Sequence, residues 1–263
     1  MGKNVHQSGC KEIDLEAEDV EYYPGPNSDP PEIIRQYLSE EVCNRYDVYS
    51  YRHAAAILAT SFPNELWQLE QALLGFRLTF EDIGMPGGNE SRIPKKISEF
   101  LRPFGWFESR IQGDLNVRVT HKHEDEDDRH GEFLGTEIII NNFIDGHKID
   151  YVKGRVAFDL EWNSKDQTFD RDLYAFRAFH DCGIISAAVM LTRGASLNKV
   201  FAKVPALDKS GKQTGKSVKS KYGASTTWMG KLLYRLNAGR HGSCPVLVFG
   251  ITPKVVEGWN DDY

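Results

Sequence analysis

The sequence is short of paired cysteines, of long apolar runs and of net positive charge. Its four cysteines (Cys10, Cys43, Cys182 and Cys244) are scattered with no close pair. This argues against a disulfide framework or a cysteine zinc site and suits reduced thiols. No apolar run is long enough to span a membrane and no N-terminal stretch reads as a secretory signal. A cytoplasmic protein with no membrane partner is therefore expected. The formal net charge of −6 argues against whole-surface attraction to nucleic acid. No internal repeat is visible.

Some chemistry is also missing. Ser210 to Ser217 (S-G-K-Q-T-G-K-S) lacks the first glycine of a phosphate-binding P-loop, and neither flank reads as the buried strand or apolar helix that motif needs. A flexible basic loop is the better reading. His121 and His123 have no third metal ligand at a characteristic spacing and read as surface residues. His180-Asp181-Cys182 does not set up a cysteine–histidine pair, and Cys182 is expected to be a packed thiol.

What is present centres on Ile149 to Lys165, I-D-Y-V-K-G-R-V-A-F-D-L-E-W-N-S-K. It predicts an extended run into Tyr151, a Lys153-Gly154 turn and a second strand from Arg155. Strand side chains alternate between faces. Phe158, Leu160 and Trp162 therefore share one face, and Asp159, Glu161 and Asn163 the other, with Asp150 joining them from the neighbouring strand. Three carboxylates on one face repel unless a cation sits among them, and a hard divalent ion such as Mg2+ takes such oxygen ligands. The alternative is a solvated charged face, usual in antiparallel sheets.

At 263 residues and 40% hydrophobic, the chain can bury a full core. Residues 1–31 predict a flexible leader, polar and ending in P-G-P-N-S-D-P-P. Residues 32–263 predict a single domain: a helical part over 32–110, a sheet core over 111–195, a basic segment over 199–230 and a closing strand. Helices are expected over Tyr51–Thr60, Asn64–Phe76, from an N-cap at Ser91 to near Arg102, and Asp170–Asp181. Strands are expected over Leu115–Thr120, Thr136–Ile140, Ile184–Thr192 and Val246–Ile251. The acidic run Glu124–Asp128 predicts a solvated loop tip. This is a mixed α/β sheet flanked by helices.

Lys199 to Lys221 holds seven lysines and one acid, Asp208, and leads to Ser225-Thr226-Thr227. Lysines neutralise phosphates without reading sequence, whereas hydroxyls reach phosphates or base edges. Lys203, Lys219, Lys221, Ser225, Thr226 and Thr227 are the candidate nucleic-acid contacts, against the alternative of a solvated surface loop.

Asp150, eight residues, Asp159, one residue, Glu161 is similar to the acidic motif of the PD-(D/E)xK nuclease superfamily. It looks closest to the BglII/BstYI-like group of type II restriction endonucleases. Tyr51-Arg52-His53-Ala54 through Leu58 and Leu66-Trp67 add to the likeness, which covers roughly residues 50–195. The resemblance implies a restriction-endonuclease-like α/β core and a homodimer that cuts double-stranded DNA at a short palindrome with Mg2+, leaving 5′-phosphates. It also implies a cognate methyltransferase in the same system. Asp150, Asp159 and the Leu160 main-chain carbonyl would be metal ligands, with Glu161 and Asn163 completing the catalytic set. Glu161 stands where the superfamily commonly has lysine. It resembles the BamHI variant, so a general-base and a metal-ligand role both stay open. A non-catalytic DNA-binding protein and a DNA-repair nuclease of the same fold are the competing readings.

Overall fold

The computed structural model describes residues 25, 27–86, 92–124, 130–223 and 225–260. The expected leader up to residue 24, the Ser91 cap and residues 125–128 of the acidic run lie outside them. In chain order the elements are α1 (Pro31–Ile34), α2 (Glu40–Arg45), β1 (Tyr46–Tyr51), α3 (Ala54–Ser61), α4 (Pro63–Gly75), α5 (Phe80–Gly84) and α6 (Arg92–Leu101). Then follow β2 (Phe107–Glu124), β3 (His130–Lys153), β4 (Val156–Glu161), α7 (Thr168–Asp181), β5 (Ala187–Arg193) and α8 (Asn198–Lys203). The chain closes with β6 (Pro205–Leu207), β7 (Gln213–Ser217), α9 (Met229–Asn237) and β8 (Val246–Ile251).

Six strands form one mixed sheet in the order β1-β8-β5-β4-β3-β2. Its centre is parallel, with β4 beside β5 and β5 beside β8, while β1, β3 and β2 add antiparallel neighbours. Parallel strands covered on both faces read as near-continuous apolar runs. Every residue of β4, β5 and β8 is buried accordingly. The predicted run Val246–Ile251 is β8, and that over Ile184–Thr192 is β5 only from Ala187, with Ile184 exposed ahead of the strand.

Alternation along β4 divides two cores. Val156, Phe158, Leu160 and Trp162 join the helices of the N-terminal half, including Leu66, Leu69 and Leu73 of α4 and Ile93 and Ile97 of α6. Ala157, on the other face, joins Phe169, Leu173 and Phe176 of α7 and Leu232, Leu233 and Leu236 of α9. Leu66, Leu69 and Leu73 recur at helical spacing, which is why α4 was legible in the sequence. The predicted turn between β3 and β4 is present, with Gly154 at φ 55°, a conformation that favours glycine.

Three expectations change. The separate strands at 115–120 and 136–140 belong to one long ribbon, β2 with β3, where Val117 pairs with Ile138 and Leu115 with Ile140. The helix expected from Tyr51 begins only at Ala54, because Tyr46–Tyr51 is an edge strand paired to β8. The last predicted leader residues are tied to the body. The Asp29 N–H donates to the Ser50 carbonyl at 2.7 Å, and Ser28 bridges to Tyr51.

Candidate active site

The β3–β4 hairpin sets Asp150 beside Asp159. Tyr151 pairs with Phe158, and the Asp150 backbone N–H donates to Asp159 Oδ1 at 2.7 Å. The face that carries Asp159 and Glu161 is not solvated. α7 covers it, leaving Asp159 4% and Glu161 8% exposed, which removes the alternative of a charged strand face in water. Asp150 sits at the exposed rim. The Leu160 side chain packs in the opposite core, away from the acidic group. Asn163 comes after β4 ends at Glu161, so strand alternation no longer places it; its Oδ1 is buried without a donor.

A fourth carboxylate joins from α7. Asp172 is 2% exposed and lies within hydrogen-bonding range of the Glu161 carboxyl. Arg171 binds Asp172 Oδ1 through Nε at 3.0 Å and a terminal nitrogen at 2.9 Å; that nitrogen stands 3.8 Å from Glu161 Oε1. Glu161 Oε2 and Asp172 Oδ2 are left buried with no donor. The sequence reading missed Asp172, since it sits on a helix whose register against the sheet is set by packing. The available signal was an acid on an otherwise apolar helix face between Phe169 and Phe176.

Crowding raises the proton affinity of the group. Burial, followed by the charge of Asp172, pushes the Glu161 carboxyl up to about 8. Burial lifts Asp172 to about 6, against the pull of Arg171. Asp159 is held well above the carboxylate range, first by burial and then by the charges of Asp150 and Asp172. Buried oxygens that lack donors and carboxyls that resist ionising are what a hard divalent cation would relieve. The donor set is all oxygen and fits Mg2+. Among the described residues no three His, Cys, Asp or Glu side chains form a ready cage. Mg2+ does not need one, since it binds through one or two carboxylates with waters and substrate phosphates.

The basic segment is more ordered than a flexible loop. β6 and β7 form a hairpin around Asp208, whose Oδ1 accepts the backbone N–H groups of Ser210 and Lys212. A β-hairpin here, where a P-loop needs a strand–loop–helix unit, also removes the phosphate-loop reading.

The candidate contacts separate by exposure. Lys203, at the end of α8, is exposed and lines a cleft with Phe80, Leu207 and Trp259. Lys219 and Ser225 are exposed. The Lys221 ammonium is occupied within the protein: it donates to the Met85 carbonyl at 2.5 Å and to the Ile83 carbonyl at 3.3 Å, and burial lowers it to about 8. Thr227 is fully buried and offers no surface to DNA. Arg193 holds both threonines, donating to the Thr227 carbonyl at 2.6 Å and the Thr226 hydroxyl at 2.5 Å. Its Nε reaches the Trp162 carbonyl at 2.7 Å, tying this segment to the end of the acidic strand. Cys182, expected to be packed, is exposed at the end of α7, while Cys244 is buried.

The family model for restriction endonuclease BglII/BglIII matches residues 46–251, a span running from β1 to β8. No curated protein matches the chain.

Proposed function

The chain belongs to the BglII/BglIII restriction endonuclease family, and from that premise we propose a type II enzyme that hydrolyses double-stranded DNA at a short palindrome in an Mg2+-dependent reaction. The observation that carries this reading is the convergence of Asp150, Asp159 and Glu161 at the β3–β4 hairpin, inside the matched span. A protein that only binds DNA gains nothing from buried carboxylates, which repel phosphate and cost desolvation.

Asp150, Asp159 and the Leu160 carbonyl would hold Mg2+, which when bound supplies charge neutralisation at the scissile phosphate and a more acidic water. Glu161, in its ionised form, accepts the proton of the attacking water. Asn163 orients the water or a phosphate oxygen. Arg171 keeps the carboxylates from being expelled by mutual repulsion. Exposed lysines of the hairpin and Lys203, Lys219, Ser225 and Thr226 meet the DNA. Cutting both strands of a palindrome calls for a two-fold dimer. The early helices supply its contacts in this reading, with Trp67 on α4 52% exposed and edge-on to Phe104. A host genome protected from such an enzyme requires a cognate methyltransferase.

The test is digestion of a sequenced plasmid in Mg2+ and in EDTA. Discrete fragments with 5′-phosphates in Mg2+ alone are expected, and Asp159→Ala should abolish them while DNA binding holds or tightens. Smearing or branch-dependent cutting would point to a repair nuclease. Wild-type cutting by Asp159→Ala would overturn the site.

A further inference from the structure

A DNA phosphate is an anion, and it has to approach the acids Asp150, Asp159 and Glu161 from solvent. The basic residues on and beside β3 and β4 are turned to other partners. Lys148 pairs with Glu108 at 2.7 Å, and Lys153 donates to Gln68 Oε1 at 2.9 Å. Arg155 donates to the Ser186 hydroxyl at 2.8 Å and to the Gly183 carbonyl at 2.7 Å. Arg102 acts on Asp150, but its guanidinium lies over the rings of Tyr151 and Phe107, 5.3 and 5.8 Å from their centroids. Arg171, the fourth residue of α7, is placed differently. Its side chain is 66% exposed, and it is anchored on the buried Asp172. Nε and Nη2 both donate to Asp172 Oδ1, at 3.0 and 2.9 Å, which holds the guanidinium in place. Nη2 also stands 3.8 Å from Glu161 Oε1, and the same charge acts on Asp150 and Asp159. A guanidinium carries five N–H donors, and Nη1 has no partner among the described residues. Neutralising the acids alone would favour a guanidinium drawn in among them with its donors spent. Arg171 is instead exposed and keeps one nitrogen open.

We propose that Arg171 is a catalytic residue of the hydrolysis, with its open guanidinium nitrogen donating to a non-bridging oxygen of the scissile phosphate. The inference rests on the nuclease reading above. As water attacks, its oxygen bonds to phosphorus and its proton passes to Glu161. The bond from phosphorus to the 3′ oxygen breaks with its electron pair going to that oxygen, which takes a proton from solvent. Negative charge gathers on the non-bridging oxygens during this exchange. A donor already fixed in place stabilises that charge without having to reorganise. Asp172 is then the positioning residue of the pair, holding the guanidinium on α7 from its buried side.

The experiment uses the full chain and short duplexes carrying the site found by plasmid digestion, with the scissile phosphate intact or replaced by an uncharged methylphosphonate. Binding is measured in EDTA for wild type, Arg171→Gln and Lys165→Gln, the last removing an exposed cation just past β4. The methylphosphonate should weaken wild type and Lys165→Gln about ten-fold more than it weakens Arg171→Gln. Moved to a neighbouring phosphate, it should affect all three alike. Single-turnover cleavage of the intact duplex in Mg2+ should fall about a hundred-fold in Arg171→Gln. Phenylglyoxal modification of wild type, mapped by mass spectrometry, gives a readout that needs no variant to fold. The intact duplex should protect Arg171, and the duplex with the scissile methylphosphonate should protect it less. A charge-balancing Arg171 would instead give equal methylphosphonate effects in wild type and Arg171→Gln, or equal effects at the scissile and neighbouring phosphates. Either result would overturn the proposal, as would Arg171 reacting equally with and without DNA. A wild type that cuts plasmid in Mg2+ but shows no such coupling sinks only the role of Arg171. A wild type that neither binds nor cuts DNA sinks the nuclease reading and this inference together.

Discussion

At the scale of single residues, the acidic group is held together against its own electrostatics. Asp159, Glu161 and Asp172 are buried; the charge of Asp172 raises the proton affinity of Asp159 and Glu161, and that of Glu161 raises Asp159. The linkage has a definite sign. Glu161 moves from an ordinary value of 4.5 to about 8, so the folded chain keeps a proton that the unfolded chain has released. The associated stability is fully present below about pH 4.5 and is lost as pH rises to about 8. Asp172 adds a loss in the same direction between 3.8 and about 6. In EDTA the melting temperature should therefore fall from about pH 5 to pH 8, and Glu161→Gln should flatten that fall. A divalent cation should restore more stability at pH 8 than at pH 5. Identical wild-type and Glu161→Gln profiles would show that Glu161 ionises freely in the folded chain. The Asp150–Asp159–Glu161 grouping was legible because a hairpin and period-two alternation are local. Asp172 was not, since nothing local says which helix face meets which strand.

At the scale of elements, the join between β4 and the 225–227 segment depends on Arg193. Its side chain lies 2% exposed at the end of β5, with its guanidinium over the rings of Tyr222 and Phe201. It donates to the Trp162 and Thr227 carbonyls, and burial lowers it to about 10. Arg193→Met would keep the volume and strip two buried carbonyls of their donor. A loss of about 3 kcal/mol is expected, read as a lower urea midpoint. Arg193→Lys should recover little of it, because one ammonium cannot reproduce the planar fork. A Met variant within about 0.5 kcal/mol of wild type would sink this account. The same elements show where sequence reading stopped. The stretch 199–231 looked like one lysine-rich loop by composition. It contains α8, the β6–β7 hairpin, a 3-10 turn over Val218–Tyr222 and the start of α9. Val200, Phe201, Val218 and Tyr222, spaced irregularly along the chain, pack into one core. Their spacing fits neither a helix nor a strand period, so periodicity could not find them.

At the scale of the molecule, charge distribution and not net charge decides whether an acidic protein can hold DNA. The chain carries −6 overall, yet Lys209, Lys212 and Lys216 stand exposed on one hairpin. Replacing these three by Ala should weaken binding to every DNA sequence and reduce the salt dependence by about one unit of slope for each phosphate no longer neutralised. Lys221→Ala should lower stability instead and leave the slope unchanged, since its ammonium is spent on the carbonyls of Ile83 and Met85. A slope that moved with Lys221 and not with the hairpin would reverse this division. The long β2–β3 ribbon is the other large-scale feature. Ile138, Ile139 and Ile140 are 43–60% exposed along it, apolar area that the described part of the chain does not cover.

The parts of this protein governed by nearest neighbours are legible along the chain. These are the β3–β4 hairpin with its glycine turn, the apolar runs of β5 and β8, the leucine stripe of α4 and the acidic spacing that carries the family resemblance. Periods of two and 3.6 residues and the conformational freedom of glycine act over a few positions, so they can be read along the chain. Long-range packing is what covers the acidic face, brings Asp172 to it, and turns Lys221 and Thr227 inward. Each of those outcomes depends on which surface of a distant element packs where. That is settled by burying apolar area over the whole core, and no local pattern encodes it.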